Sequence, residues 1–366
     1  MKRRLLDISL SVLSAVLILS IGAGVWLLPS HDFSEEENRA LATISPPTLS
    51  ELTDGSFSAS VSDYFRDRIP LRNQFIRLKA CSELMLLKGE NNGVIFCRDG
   101  YLLDRGEYGA FDKAQKNISE LSHLAMLLKS NGIPTSIAYV PRGIDVMTDK
   151  LPPLYRGNEG EIFDIVPTGA QYTDLLTPLR SAAKVGEYVW FKTDHHWTVH
   201  GAYIAYAELS KSLGYTPYEK EYFNIQEMSD KFLGSIYSRA GCVAASPDKL
   251  ELYRYEGDGD YLLTVDGNQE RIGLYFLEYL EKKDKYAVFL GGNYADLSIK
   301  KQTDEARPRL LIIKDSYANS LVPFLALHFD IELIDPRYYS NNGELSEKLK
   351  NADMALIIQG IDTVAT

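Results

Sequence analysis

The sequence predicts an α/β fold: a parallel sheet flanked by helices, with a β-rich insertion and an N-terminal transmembrane helix. Three observations carry that expectation. From about residue 111, short runs of nearly unbroken Val, Ile and Leu, such as "RLLIIK" and "MALIIQG", alternate with helical stretches, as parallel strands buried on both faces do. Residues 222–285 interrupt the alternation with turns and period-two runs, among them "LELYRYEGDGDYLLTVDG". At the start, Lys2, Arg3 and Arg4 precede an apolar run from Leu5 to Leu28 that only Asp7 breaks.

A rise of about 1.5 Å per residue lets that run cross a hydrocarbon core of about 30 Å. The basic start, and the "HDFSEEEN" that follows the run, put the N-terminus inside and the body outside. Residues 1–29 are therefore expected to be an uncleaved signal anchor, with the body extracytoplasmic and Trp26 at the interface. Cleavage at the weak site "SIGAG" would instead secrete the body. Residues 30–110 read as a membrane-proximal region. A polar linker with "SPP" runs to about residue 60, and "SASVSDYFRDRIPLRNQFIRLKACSELMLL" then has helical spacing broken at Pro70. "NNGVIFCRDGYLLDR" follows as a hairpin.

Residues 111–366 form the α/β domain, with the insertion at about 222–285. "FDKAQKNISELSHLAMLLKSNG" is an amphipathic helix ended by Asn-Gly, and "PTSIAYVP" is the strand after it. A helix at 171–184 leads into the strand "EYVWFKT". "GAYIAYAELSKSLGY" is a helix with Ala202, Ala205, Leu209 and Leu213 along one face. "KYAVFLGGN", "RLLIIKDS", "IELIDP" and "MALIIQG" supply further strands.

Composition narrows the function classes. At 366 residues, 45% hydrophobic and 24% charged, the chain can bury a full core. A net charge of −11 and a pI of about 5.2 argue against nucleic acid as a partner, and no Lys/Arg cluster beyond the N-terminus marks a basic groove. The 23 tyrosines suit strands and half-buried surfaces, and also glycan stacking. Cys81, Cys97 and Cys242 are too few and too irregular for a disulfide framework or a cysteine zinc knuckle, leaving room for one bond, Cys81 to Cys97.

The chemistry concentrates in "TDHHWTVH", where His195, His196 and His200 are three of the chain's six histidines. Three readings compete: a metal site, half of a nucleophilic triad, or a helix start with incidental histidines. His196 and His200 have the i, i+4 spacing of helical metal ligands, and Asp194 could complete a set. Thr198, however, is a good helix cap, which puts His196 before the helix and removes that geometry. No metal and no cofactor is therefore expected, and His195 and His200 read as flanking structure.

The nucleophilic reading needs a serine. The strand 309–313 runs into Asp315 and Ser316, at the carboxyl end where open α/β sheets bind ligands. Ser316 is either a helix cap or a nucleophile. A serine hydroxyl needs an imidazole to take its proton, and the imidazole needs a carboxylate. Asp194 and His196, two apart in an extended segment, point to the same side. Trp197 is a candidate for stacking a sugar ring, and Tyr237 and Arg239, on the glycine-bounded loop "GSIYSRAG", are candidates for positioning an acyl group or sugar.

"TDHHW" together with "KDSYANSLVPFL" resembles the DHHW family of exported bacterial proteins. That family is similar to the SGNH-like alginate O-acetyltransferases, whose motif is an Asp-x-His-Trp followed by an Asp-Ser. "FSEEENRALA", "DRIPLRNQF" and "CRDGYLL" look like the same group, so the resemblance covers most of the body. It implies an SGNH-hydrolase-like domain with Asp194 as orienting acid, His196 as general base and Ser316 as nucleophile. "LGGN" at 290–293 resembles the SGNH block whose asparagine donates to the oxyanion hole, making Gly292 and Asn293 candidates. Lys314 departs from the pattern, because the serine block usually has glycine there. The implied activity is transfer of acetyl to or from hydroxyls of a cell-surface polysaccharide. The implied partners are that polysaccharide, a membrane-bound acetyl-donor protein and the membrane itself. The competing class is a catalytically silent glycan-binding or assembly protein of the same fold.

Overall fold

Buried apolar strands, each too short to stand alone, assemble here into one sheet of eight. The computed structural model describes residues 2–27, 33–34, 39–106, 111–153, 155, 163, 165–241, 245–339, 348–349 and 351–365. The chain divides into two compact units, 1–91 with 241–243, and 92–240 with 244–366.

The first unit opens with helix α1 (Lys2–Leu27). Its window Ile8–Val25 makes it the one helix among the described residues long and apolar enough to cross a membrane. The side chain of Trp26 lies outside the described residues. Strands β1 (Phe33–Ser34) and β2 (Arg39–Ala40) pair antiparallel. The expected linker is shorter than the sequence suggested, because α2 (Leu49–Asp54) starts within it, capped by Thr48 and Glu51 in a capping box. Pro70 ends the next helix as expected, separating α3 (Ser56–Arg68) from α4 (Arg72–Met85). Strand β3 (Glu90–Asn91) closes the unit.

The second unit starts with the expected hairpin of β4 (Val94–Phe96) and β5 (Leu102–Asp104). Helix α5 (Phe111–Ser130) leads to β6 (Thr135–Val140), α6 (Gly143–Val146), β7 (Gln171–Thr173) and α7 (Leu176–Lys184). The helix expected at 171–184 is thus a short edge strand followed by a shorter helix. Next come α8 (Val199–Leu213), β8 (Asn224–Phe232), α9 (Ser235–Ala240) and β9 (Asp248–Arg254). Strands β10 (Tyr261–Val265), β11 (Gln269–Ile272), β12 (Asp296–Lys301) and β13 (Arg309–Lys314) precede α10 (Val322–Leu325), β14 (Asp330–Ile334), β15 (Met354–Gly360) and α11 (Ile361–Val364).

The sheet order is β11-β10-β12-β14-β13-β15-β6-β7. From β14 to β7 all neighbours are parallel, as expected of the apolar strands. Strands β12, β10 and β11 add an antiparallel edge, so the sheet is mixed. Part of the β-rich insertion therefore extends the main sheet, while β8 and β9 pair only with each other. Alternate residues feed opposite faces. Leu310, Ile312, Leu356 and Ile358 pack with Ala202, Ala205 and Leu209 of α8, whereas Ile313 and Ile357 pack with Ala114, Ile118 and Ala125 of α5.

Two expected strands are absent. Residues 187–193 join no sheet, because the Asp248 carboxylate takes the N–H groups of Lys192 and Thr193, each at 2.8 Å, in place of strand carbonyls. Its one ladder pairing among the described residues is an isolated bridge from Trp190 to Trp197, and its Lys192 carbonyl accepts the Leu102 N–H at 2.7 Å. Residues 285–293 form a tight turn, and Phe276 N–H and Leu290 N–H tie it to the segment before it. Cys81 and Cys97 are free thiols, not a disulfide, and Cys242 lies outside the described residues.

On the α8 face, Phe324 is almost fully buried among Tyr203, Tyr206, Phe223 and Tyr253. Phe324→Ala should cost about 3–5 kcal/mol, from the lost burial of the ring and the cavity left behind. Denaturant titration checks this as a lowered midpoint at unchanged slope.

Candidate active site

Ser316 follows β13, the strand where the chain changes direction of travel across the sheet: β14 lies on one side and β15 on the other. The cap of the turn after β13 is Asp315, whose Oδ1 accepts the Tyr317 N–H at 3.0 Å. Its Oδ2 accepts the Gly360 N–H and the Thr363 hydroxyl, each at 2.7 Å, tying the ends of β13 and β15 together. Gly360 is required for close approach, since a Cβ there would meet the Tyr317 ring at 2.5 Å. With Asp315 as the cap, the Ser316 hydroxyl is left for another partner.

That partner is His196. Its Nε2 lies 2.9 Å from Ser316 Oγ, and its Nδ1 lies 2.6 Å from Asp194 Oδ1. The carboxylate selects the tautomer with the proton on Nδ1, which leaves the Nε2 lone pair facing the serine. The imidazole is held flat between two rings. Tyr286 stacks on it at 3.8 Å and 7°, and His195 lies 3.7 Å away on a 39° tilt.

Asp194 is buried and saturated with donors. Its Oδ1 also accepts the His196 N–H at 3.0 Å, and its Oδ2 accepts the Ser235 N–H at 2.8 Å. Gly234 gives it room, because a Cβ there would fall 2.3 Å from the carboxylate. Burial pushes the Asp194 carboxyl up, but the charges of His195 and His196 and the bonds from His196 and the Ser235 N–H outweigh it, holding it well below the usual carboxylate range. Behind it, Asp248 accepts the Thr193 hydroxyl at 2.5 Å as well as the two N–H groups, fixing the backbone just before Asp194.

The oxyanion candidates form a network around Lys314. The buried Lys314 ammonium donates to Asn319 Oδ1 at 2.8 Å and to Asn293 Oδ1 at 3.4 Å, with Asp335 at 3.8 Å. Burial lowers its pKa to about 8, against the opposing pull of Asp335 and Asp315. Asn319 Nδ2 also donates to Asn293 Oδ1, at 3.0 Å. Two donors on Oδ1 orient the exposed Asn293 amide, and among the described residues no acceptor takes its Nδ2 protons. Gly292 differs, because its N–H is directed to the Phe289 carbonyl at 3.4 Å.

The substrate-contact candidates fare differently. Trp197 is fully buried and its Nε1 donates to Tyr317 O and Ser320 Oγ, so its face is not offered to a sugar. Residues 235–240 are helix α9, not a loop; Tyr237 is half-buried with its N–H on Thr193 O, and Arg239 pairs with Asp104 at 2.5 Å. His200 bonds Glu187 and Tyr253, in the first turn of a helix capped by Thr198. Asp194, His195 and His196 do bring ligand atoms within 4.8 Å of one another, the metal reading's best geometry. Both His196 nitrogens are already committed, however, and His195 Nδ1 is 2.6 Å from Ser235 Oγ. The sequence reading missed Gly234, Ser235, Asp248 and Tyr286. Only "GS" ahead of a short helix hinted at the first two.

The chain matches the DHHW protein family model over residues 173–334, and the model for the SGNH hydrolase-like domain of acetyltransferase AlgX over residues 91–226. It is 26% identical over 207 residues to the probable alginate O-acetylase AlgJ of Pseudomonas fluorescens, covering 54% of this chain and 50% of that protein. The AlgJ of Pseudomonas syringae pv. tomato is 24% identical over 187 residues, 48% of this chain and 47% of the relative. The chain thus spans about half the length of the curated relatives it matches. In structure it is similar to a DHHW family protein from Eubacterium siraeum (TM-score 0.58, 19% identity, 76% of this chain and 93% of that one). It is also similar to Bacillus cereus PatB1 (TM-score 0.62, 20% identity, 73% and 96%). At these identities the two structures show a shared fold alone, and its SGNH hydrolase-like description comes from the family model matched at residues 91–226.

His195 carries a pH consequence. Burial and the neighbouring His196 charge push its pKa down to about 4, against the pull of Asp194. The unfolded chain takes that proton near the ordinary value of about 6.5, so the unfolded state binds more protons between the two values. Stability should therefore fall as pH drops from about 6.5 towards 4. Unfolding midpoints at pH 7 and pH 4.5 should show a smaller loss in His195→Asn than in wild type.

Proposed function

We propose that this chain, matched at its centre by the DHHW protein family model, is an extracytoplasmic acyl transferase working through Ser316, His196 and Asp194. The observation that carries the reading is the unbroken chain of contacts from Asp194 Oδ1 through the imidazole to Ser316 Oγ, at 2.6 and 2.9 Å. Ser316 Oγ attacks the acyl carbonyl as His196 Nε2 takes its proton. The ionised Asp194 stabilises the resulting imidazolium. Asn293 Nδ2 and the Ser316 N–H hold the oxyanion, because the Tyr317 N–H is taken by Asp315, and Lys314 keeps the Asn293 amide turned towards it. The imidazolium then protonates the leaving group, which departs to leave Ser316 acylated. An acceptor hydroxyl loses its proton to His196, attacks the ester and frees the serine.

The acyl group is acetyl and the acceptor a polysaccharide hydroxyl, a reading supported by the relatives named as alginate O-acetylases. The helix α1 supports placement of the body outside the membrane, anchored to it. Whether sugar or water takes the acetyl is decided by which acceptor occupies the site, and the geometry of Ser316 and His196 serves both.

The test is turnover of a chromogenic acetyl ester, with and without polysaccharide acceptors and with and without chelator. Ser316→Ala and His196→Ala should each lower turnover by about four orders of magnitude or to background. Chelator should change nothing. Absence of turnover and of any acyl-enzyme by mass spectrometry in wild type would sink the reading.

The oxyanion network makes a separate prediction. Asn293→Ala should lower turnover about 10²–10³-fold, the cost of one oxyanion donor. Lys314 loses its proton as pH rises through about 8, and with it the charge that orients Asn293. Activity should therefore fall on the alkaline side of about pH 8, and Lys314→Met should be slower throughout and lack that limb.

A further inference from the structure

Helix α4 has two apolar faces. Ala80, at its middle, is fully buried. At about 100° per residue, Phe75, Leu78, Ser82 and Met85 fall within an arc of about 80° on the opposite side. Three of them are large, apolar and open, at 55%, 65% and 83% exposed. Leu71 continues the stripe at one end and Leu86 at the other, both exposed. Such a stripe is unusual on a surface that only meets water.

Cations flank the stripe. Arg72 and Lys79 lie to one side of it on the helical wheel and Arg77 to the other. Residues 66–88 hold six basic and two acidic side chains in a chain whose net charge is −11, a local excess the sequence reading passed over. A helix that is apolar on one face and edged by Lys and Arg is built to lie in a lipid headgroup region, with its cations reaching the phosphates.

A third observation gives the stripe a membrane to meet. Pro70, two residues before α4, packs on Gly24 at the outer end of α1, close enough that a Cβ there would lie 2.5 Å from Pro70 Cγ. The start of α4 is thus held at the level where the apolar span Ile8–Val25 ends.

We propose that α4 lies in the outer interface of the membrane that α1 crosses, seating Phe75, Leu78 and Met85 in an anionic lipid surface. This goes beyond the acyl-transfer reading and does not depend on it. It rests instead on α1 being retained.

The full chain, reconstituted into nanodiscs containing brominated phosphatidylcholine with or without phosphatidylglycerol, tests the placement. Quenching of Trp26 in the wild-type chain reports that α1 is in the bilayer; Trp190 and Trp197 are buried and give a constant background. In a Trp26→Phe background, Phe75→Trp, Leu78→Trp and Met85→Trp should each blue-shift and lose most of their emission to the bromolipid. Phosphatidylglycerol should increase the loss, and Arg77→Gln with Lys79→Gln should remove that increase. Unquenched stripe tryptophans in a chain whose Trp26 is quenched overturn the proposal, as does quenching confined to position 75. Shielding that follows protein concentration and not lipid also overturns it, by placing a second copy on the stripe. An increase that survives the double substitution overturns the anionic-lipid assignment.

Discussion

The site rests on one buried anion. A carboxylate removed from water is costly unless donors surround it, and Asp194 has three at hydrogen-bond distance: the imidazole Nδ1, the His196 N–H and the Ser235 N–H. Meeting that demand determines much else. It fixes the ring plane and tautomer of His196, it brings the N-terminus of α9 against the TDHHW segment, and it excludes any side chain at Gly234. Removing the charge would leave the amide of Ser235 and the imidazole without the group they are arranged around.

Two further carboxylates do for the backbone what Asp194 does for the imidazole. Asp248, at the start of β9, gathers Tyr188, Lys192 and Thr193, so the β-rich insertion supplies the brace for the segment that carries His196. Asp315 caps its own turn and clasps Gly360 and Thr363, holding the serine strand to its neighbour. Each is an acceptor for amides that the sheet itself leaves unpaired. Asp194, His196 and Ser316 therefore sit on irregular backbone made rigid by side chains, at the rim of a regular sheet.

That division explains what could be read in the sequence. The apolar strands β6, β13, β14 and β15, the helix α8 with Ala202 and Leu209 inward, and the break at Pro70 follow from local periodicity and proline sterics. Asp194 and His196 were legible as an i, i+2 pair, and Ser316 as a serine at a strand end. Where a distant group replaces a local bond, the local pattern misleads. Residues 187–193 alternate like a strand, yet Asp248, 55 positions from Thr193, takes their amides. Trp197 has the composition of a sugar platform but is buried by residues 317 and 320, over 100 positions away. Asp-Ser at 315–316 offers two caps, and only the tertiary contact to His196 decides which residue caps and which stays free.

The separation of the three residues along the chain has a consequence for the order of assembly. His196 and Ser316 are 120 positions apart, and the brace at Asp248 lies between them in sequence. Closing such long loops is entropically slow and depends on the central strands already being paired. Until the chain through β13 is present and the intervening insertion has docked, Ser316 has no imidazole beside it and the segment carrying Asp194 and His196 has no brace. On the proposed route of export, a chain still threading across the membrane carries an ordinary serine. The proposed nucleophile meets its base only when contacts of that sequence separation have formed.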